Sequence, residues 1–296
     1  IKLKRSPLPS RIGNLLFKPV ELAPHVIDAK INYWNTRTQI GINLNQAAFS
    51  NNWNGGGVNS MAIAGLINFK TEYRKENFSY TQEVILNYGK VKNKNQLEKK
   101  TVDRIYWDHK AAMQLSKNWY FFGSVNFESQ FDKGFAYNVK DGQEYKEFLL
   151  SKFLAPGYLT ESIGFEYKPN TYFSTRIGTG TARQTIVIDT TIHNSRNSNF
   201  GVPIGSTIKN DLAFQVIMNF DKDIFKNVNL KSKYMAFIPY DNFGYTNHRL
   251  DVQLTARVNR FMNTSITGVG LYDRNTDSKI QGSQTLALGF TFIFPR

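Results

Sequence analysis

Through most of the chain, apolar residues recur at every second position. Met61, Ile63, Gly65, Ile67, Phe69, Thr71 and Tyr73 form one set, interleaved with Ala62, Ala64, Leu66, Asn68, Lys70 and Glu72. The same period runs through 119–128, 211–220 and 285–294. Successive side chains of a strand point to opposite faces, so this period predicts strands with one apolar face and one mixed polar face. Twelve segments fit: 36–49, 60–73, 77–90, 101–116, 119–133, 152–168, 171–184, 207–221, 226–239, 245–258, 261–273 and 282–294. Many run to about 13 residues, where an ordinary strand has about 5–6. A tilted strand crossing a bilayer needs about 9–11 residues in the hydrocarbon.

The connections alternate. Tight turns fall at Arg74-Lys75-Glu76, Ser116-Lys117-Asn118, Lys168-Pro169-Asn170, 221–225 and Asn259-Arg260, and longer links at 50–59, 91–100, 134–151, 185–206, 239–244 and 274–281. Short turns on one rim and long loops on the other are the pattern of an outer-membrane barrel. The prediction is an all-β fold: a closed, antiparallel, up-and-down transmembrane β-barrel of about 12 strands over residues 36–296. An even count places both ends on the short-turn, periplasmic side. The count rises to fourteen if Thr185–Ile192 (TIVIDTTI) and the third long loop pair within the barrel. Within that loop, 144–154 (EYKEFLLSKFL) has a loosely helical period and predicts a short helix.

Charge separates by parity. With the apolar set turned to lipid, the inward set holds Lys70, Arg104, Lys110, Arg176, Lys231, Lys233, Arg249 and Arg257 against Glu72, Glu83, Asp108, Glu128, Asp132, Glu166, Asp211 and Asp251. These residues are the candidate lumen-lining network, and the two lists balance. A base on the lipid face near the midplane costs about 2–4 kcal/mol, so a bilayer would enforce such segregation. Bulky Tyr106, Tyr120, Phe122, Met235 and Phe237 also point inward, while Gln82, His109, Ser232, Gly268 and Gly270 fall on the outward face. A soluble sandwich or lipocalin-like barrel, the competing fold, would bury its apolar face and use shorter strands.

Composition narrows the rest. Forty-two aromatic residues among 296 exclude a disordered chain, and the absence of cysteine excludes disulfides, thiolate metal sites and thiol catalysis. No run of about 18 apolar residues exists, which excludes a transmembrane helix. The chain opens on Ile1 and reads as a mature sequence. Residues 1–35 carry Pro7, Pro9, Pro19 and Pro24 and a net charge of +4, the composition of a basic periplasmic tail that serves as linker, docks on a partner or plugs the lumen. Asn54-Gly55-Gly56-Gly57 lacks the Lys and helix of a phosphate loop and is read as a flexible loop.

Phe49-Ser50-x-x-Trp53-x-x-Gly56-Gly57 and Phe153-Leu154-Ala155-Pro156-Gly157-Tyr158 resemble the most recognisable stretches of an uncharacterised family of Gram-negative outer-membrane β-barrels, a domain of unknown function. Asp103-Arg104 and the Tyr167-Lys168-Pro169-Asn170 turn are similar too. The resemblance covers residues 36–294 and implies fold and location, with no activity attached. The alternating Phe290, Phe292 and Phe294 resemble the C-terminal strand signal of such proteins, here followed by Pro295 and Arg296.

Of four histidines, His25 lies in the tail, His193 in a loop, and His109 and His248 face outward with no Ser in a catalytic motif beside them. An outer-membrane phospholipase-type enzyme therefore ranks last, and no catalytic residue, metal or cofactor is assigned. The net +14 sits in tail, loops and turns rather than in an aromatic-interleaved stripe, which argues against nucleic acid. A small passive diffusion pore ranks second. The leading expectation is a non-catalytic accessory or scaffold subunit of an outer-membrane assembly or secretion complex, with lipid and other envelope proteins as its partners.

Overall fold

The computed structural model describes residues 31–48, 50, 58–189, 192, 199–203, 205–274 and 279–295. The tail up to residue 30, the glycine loop at 54–57 and His193 lie outside the described residues.

Twelve strands close into one antiparallel barrel: β1 (Trp34–Ala47), β2 (Ser60–Lys75), β3 (Phe78–Asn93), β4 (Lys99–Gln114), β5 (Trp119–Ser129), β8 (Gly157–Tyr167), β9 (Phe173–Ile186), β10 (Ile208–Phe225), β11 (Val228–Pro239), β12 (Asn247–Arg257), β13 (Met262–Asp273) and β14 (Gln281–Pro295). Each pairs with its sequence neighbour, except that β5 meets β8 across an inserted hairpin. Closure comes from β1 against β14, with Thr38, Ile40 and Ile42 opposite Phe294, Phe292 and Phe290. No strand edge of the barrel stays open.

The hairpin corrects two sequence expectations. Residues 144–154 form no helix: β6 (Gly134–Lys140) and β7 (Gln143–Ser151) pair as a separate two-stranded sheet. Asp141 and Gly142 turn the chain with φ of 51° and 76°, the backbone of a two-residue hairpin turn for which Asp-Gly is suited. Because this sheet stays outside the barrel and β9 ends at Ile186, the barrel has twelve strands rather than fourteen. Glu144 ties the hairpin to the start of β4: it meets Lys99 Nζ at 2.5 Å and accepts from the Leu97 amide at 2.8 Å.

The polarity of the wall is inverted relative to a water-soluble core. Large apolar side chains such as Ile42, Ile63, Trp107, Ile163, Leu212 and Leu288 are exposed on the outer wall, while Asp108, Lys110, Ser162, Glu166, Asp211 and Gln215 are buried inside. A smaller apolar cluster, Ala155, Val187, Ile192 and Val202 with Leu149 and Phe200, packs among the long loops.

One irregularity matters for everything inside. In β9 the register with β10 jumps between Ala213↔Thr181 and Gln215↔Gly178, and the register with β8 jumps between Ile163↔Gly180 and Gly164↔Gly178. β9 therefore carries one extra residue at Thr179-Gly180, with Thr179 left unpaired against β8, and parity switches across it. Two glycines permit the bulge. A Cβ at Gly164 would lie 2.0 Å from the Ile177 carbonyl oxygen, and one at Gly178 would lie 2.2 Å from Ser162 Oγ.

Gly164→Ala is expected to destabilise the barrel by about 1–3 kcal/mol, because backbone must move to admit the methyl group. Gly123→Ala, where a Cβ meets nothing within 4 Å, should be neutral. Urea unfolding of both variants refolded in detergent checks this. At the hairpin, the hydrogen bond from Lys99 holds the Glu144 carboxyl below its ordinary value. The contact therefore stabilises at neutral pH and is lost as the pH falls through the carboxylate range. Limited proteolysis of 134–151 should accelerate on acidification and, at neutral pH, in Glu144→Gln.

Candidate functional site: a charge network across the lumen

The inward side chains of β4 form the axis of the site. Arg104, Tyr106, Asp108 and Lys110 share one face because they are two residues apart on a regular strand, and Tyr106, Asp108 and Lys110 are at most 6% exposed. Toward the short-turn rim, Glu166 of β8 gathers three bases: Lys110 Nζ at 2.7 Å, Lys168 Nζ at 3.1 Å and Arg176 Nε at 3.3 Å. Arg176 also reaches Asp108 at 3.5 Å. Toward the other rim, Glu128 of β5 takes a two-pronged pair from Arg104 at 2.7 and 3.1 Å, and Arg249 approaches the same carboxylate at 3.6 Å. Arg249 is itself paired with Asp251 at 2.9 Å.

Two of these contacts cross the barrel. Between β12, which carries Arg249, and β5, which carries Glu128, stand four strands by the shorter way round. The same holds for Lys233 of β11, whose ammonium lies 4.7 Å from the Tyr106 ring centroid and donates to its hydroxyl at 3.4 Å. Arg104 stacks on that ring at 4.6 Å. The middle of the lumen is thus bridged wall to wall.

The remaining predicted residues are not drawn into this cluster. Lys70–Glu72, Lys231–Asp221 and Arg257–Asp223 are pairs whose side chains are more than a third exposed, near the short-turn rim. Asp211 pairs with Lys209 at 2.8 Å toward the long-loop rim, and Glu83 accepts from Asn68 at 3.0 Å. Asp132 is a correction: β5 ends at Ser129, and Asp132 lies in the following turn, bonded to the Tyr88 hydroxyl at 2.7 Å. Phe290, Phe292 and Phe294 lie on β14 opposite β1. His109 and His248 each contact a tyrosine hydroxyl through Nδ1, Tyr80 at 2.5 Å and Tyr234 at 2.8 Å.

Residues 44–135 match the family described as Protein of unknown function (DUF3078). The match contains two of the stretches that carry the resemblance noted above, 49–57 and Asp103-Arg104. Asp103 has a visible task there: its carboxylate accepts from the Phe131 and Asp132 amides at 2.7 and 2.9 Å and pairs with Lys100 at 2.7 Å, pinning the turn after β5. No curated protein matches the sequence. Among solved structures, the chain is similar to the translocator domain of the autotransporter NalP from Neisseria meningitidis, at 10% identity over 90% of each chain and a TM-score of 0.38. It is similar to an outer-membrane channel from Pseudomonas putida F1, at 9% identity over 90% of this chain and 97% of that one, with a TM-score of 0.42. The toluene transporter TodX from Pseudomonas putida aligns at 5% identity over 90% and 89%, with a TM-score of 0.36.

Sequence parity missed two residues. Strict alternation from Arg176 turns position 183 outward, but the bulge at Thr179-Gly180 turns Arg183 into the lumen, where its guanidinium lies 3.6 Å from the Phe237 ring centroid. The signal was available: paired glycines inside a strand pattern mark a bulge. The second is Glu161, which is exposed between Val125 and Ala182 on the outer wall. It borders a shallow recess of about 560 Å³ with Gly123, Gly180 and Leu212.

Replacing Glu166 by Gln would leave Lys110 buried without its carboxylate, at a cost of about 3–5 kcal/mol. Lys70→Gln, which breaks an exposed pair, should cost under about 1 kcal/mol. Equilibrium unfolding of the refolded barrel distinguishes the two.

Proposed function

We propose that this chain is an integral outer-membrane β-barrel without catalytic activity that serves as an accessory or scaffold subunit of an outer-membrane assembly or secretion complex. Membrane insertion is supported by the outward apolar wall and by strands of 11–18 residues in the barrel. Long links at one rim and short ones at the other orient it: β1 begins and β14 ends at the short-turn rim, which becomes the periplasmic side.

The observation that carries the scaffold reading is the wall-to-wall bridging of the lumen by Arg249–Glu128 and Lys233–Tyr106. A lumen crossed by a half-buried ion pair and a cation–tyrosine contact is poorly suited to passive flux and well suited to rigidity. Glu161 adds a place for a subunit contact. A carboxylate on a lipid-facing wall is costly unless neutralised, and a hydrogen-bond donor from a neighbouring membrane protein would relieve it. A small pore is the second reading, favoured by a cavity of about 350 Å³ above the bridges, bordered by Tyr106, Glu128 and Arg249.

Gentle solubilisation of native membranes followed by affinity capture should yield a stoichiometric partner. That partner should be lost with Glu161→Leu while the barrel still migrates as a folded species on unheated gels. A protein captured alone overturns the scaffold reading. In planar bilayers the native barrel should be silent, and Arg249→Ala combined with Tyr106→Ala should open a measurable conductance. Conductance in the unmodified protein would favour the pore.

A further inference from the structure

The cavity above the bridges is lined by Arg183, Arg249, Asn126 and Gln215 together with Tyr158 and Phe237, and the Arg183 guanidinium lies 3.6 Å from the Phe237 ring centroid and 5.8 Å from that of Tyr158. Most interior charges around it are matched. Glu128 is held by two arginines, and Arg249 is shared between Glu128 and Asp251. Arg183 differs. Among the described residues it lies within 4 Å of no carboxylate, and its Nε is buried with no hydrogen-bond partner. Its register partner Asp211 is taken by Lys209. With the Asn247 amide oriented to satisfy both neighbours, its oxygen accepts from Arg183 Nη1 at 3.2 Å and its nitrogen donates to Asp273 Oδ1 at 2.7 Å, so the nearest acid is one amide removed. Lys233, just beyond Tyr106, is likewise within 4 Å of no carboxylate among the described residues. Glu128 and Asp273 line the same cavity, but both are occupied.

We propose that this luminal cavity binds a small organic anion, a carboxylate on an aromatic or otherwise apolar body. The Arg183 guanidinium, stacked on Phe237, receives the carboxylate, and the apolar part lies against Tyr158 and Phe237. Arg183 is half-buried and lacks any carboxylate partner among the described residues, and a carboxylate matches guanidinium donors in the strongest geometry available to them. The flat rings favour a planar body, while Glu128 and Asp273 repel an anion whose charge is spread over all its faces. The bridges below the cavity would hold such a ligand from the periplasmic side. The site goes beyond the scaffold reading and requires only that the barrel be folded, whether or not the lumen conducts.

Calorimetric titration of the full chain refolded in detergent with benzoate, benzylamine and inorganic phosphate tests the proposal. Folding of each sample is verified by its heat-modifiable migration, which separates failure of the barrel from failure of the site. Saturable benzoate binding is expected, with none for benzylamine and weaker binding of phosphate. Arg183→Gln should weaken benzoate by about tenfold or more. If that variant does not fold, Phe237→Leu retains the guanidinium without its ring support and should weaken benzoate several-fold. Non-saturable benzoate uptake, unchanged affinity in a folded Arg183→Gln or Phe237→Leu variant, or phosphate binding as tightly as benzoate would each overturn the assignment.

Discussion

Closure of the hydrogen-bond ladder is the constraint on which the rest of the molecule depends. Once β1 pairs with β14, every barrel strand has neighbours on both sides, and the wall presents only side chains to whatever surrounds it. Closure also creates an inside narrow enough for side chains from opposite walls to meet, as Arg249 and Glu128 do. In an open sheet those groups would face water and contribute little. Inside the cylinder the same charges are half-buried, most of them are paired, and some of those pairs tie distant strands together.

That requirement explains the character of the interior. The strongest cluster is built on Glu166, 1% exposed, which collects Lys110 from β4, Lys168 from the turn after β8 and Arg176 from β9. Such pairs do not make a protein more stable than a well-packed apolar core would, but breaking one leaves a stranded charge. Each pair holds in the observed register, where its two side chains face each other. Tyr106 joins the two halves of the network, carrying Arg104 on its ring and Lys233 at ring and hydroxyl. Arg183 stands outside this matching, and it stands beside the cavity.

The bulge in β9 links wall to lumen. Gly164 and Gly178 leave room for it, Thr179 and Gly180 form it, and its consequence is that residues an odd number apart, Arg176 and Arg183, share the inside. A local backbone irregularity thereby adds the charge of Arg183 to the lumen. It lies beside the recess that holds Glu161, the exposed acid that breaks the apolar character of the outer wall at that place.

Strand number, strand order and the inward face of β4 were legible in the sequence, because period-two alternation is a local property that each strand carries on its own. The twelve segments read from it correspond one for one with the barrel strands, and Lys110 with Glu166 and Arg104 with Glu128 are paired. The hairpin at 134–151 was not legible as such: its second strand has a helix-like spacing, and pairing with 134–140 across Asp141-Gly142 outweighed it. Parity alone also could not say which charges meet. Arg249 and Glu128 are 121 positions apart (249 − 128), and their encounter depends on the circumference of the closed sheet. The sequence by itself determined which side chains share a face; closure and one bulge decided which of them touch, because alternation is counted along a strand and contact is made across the lumen.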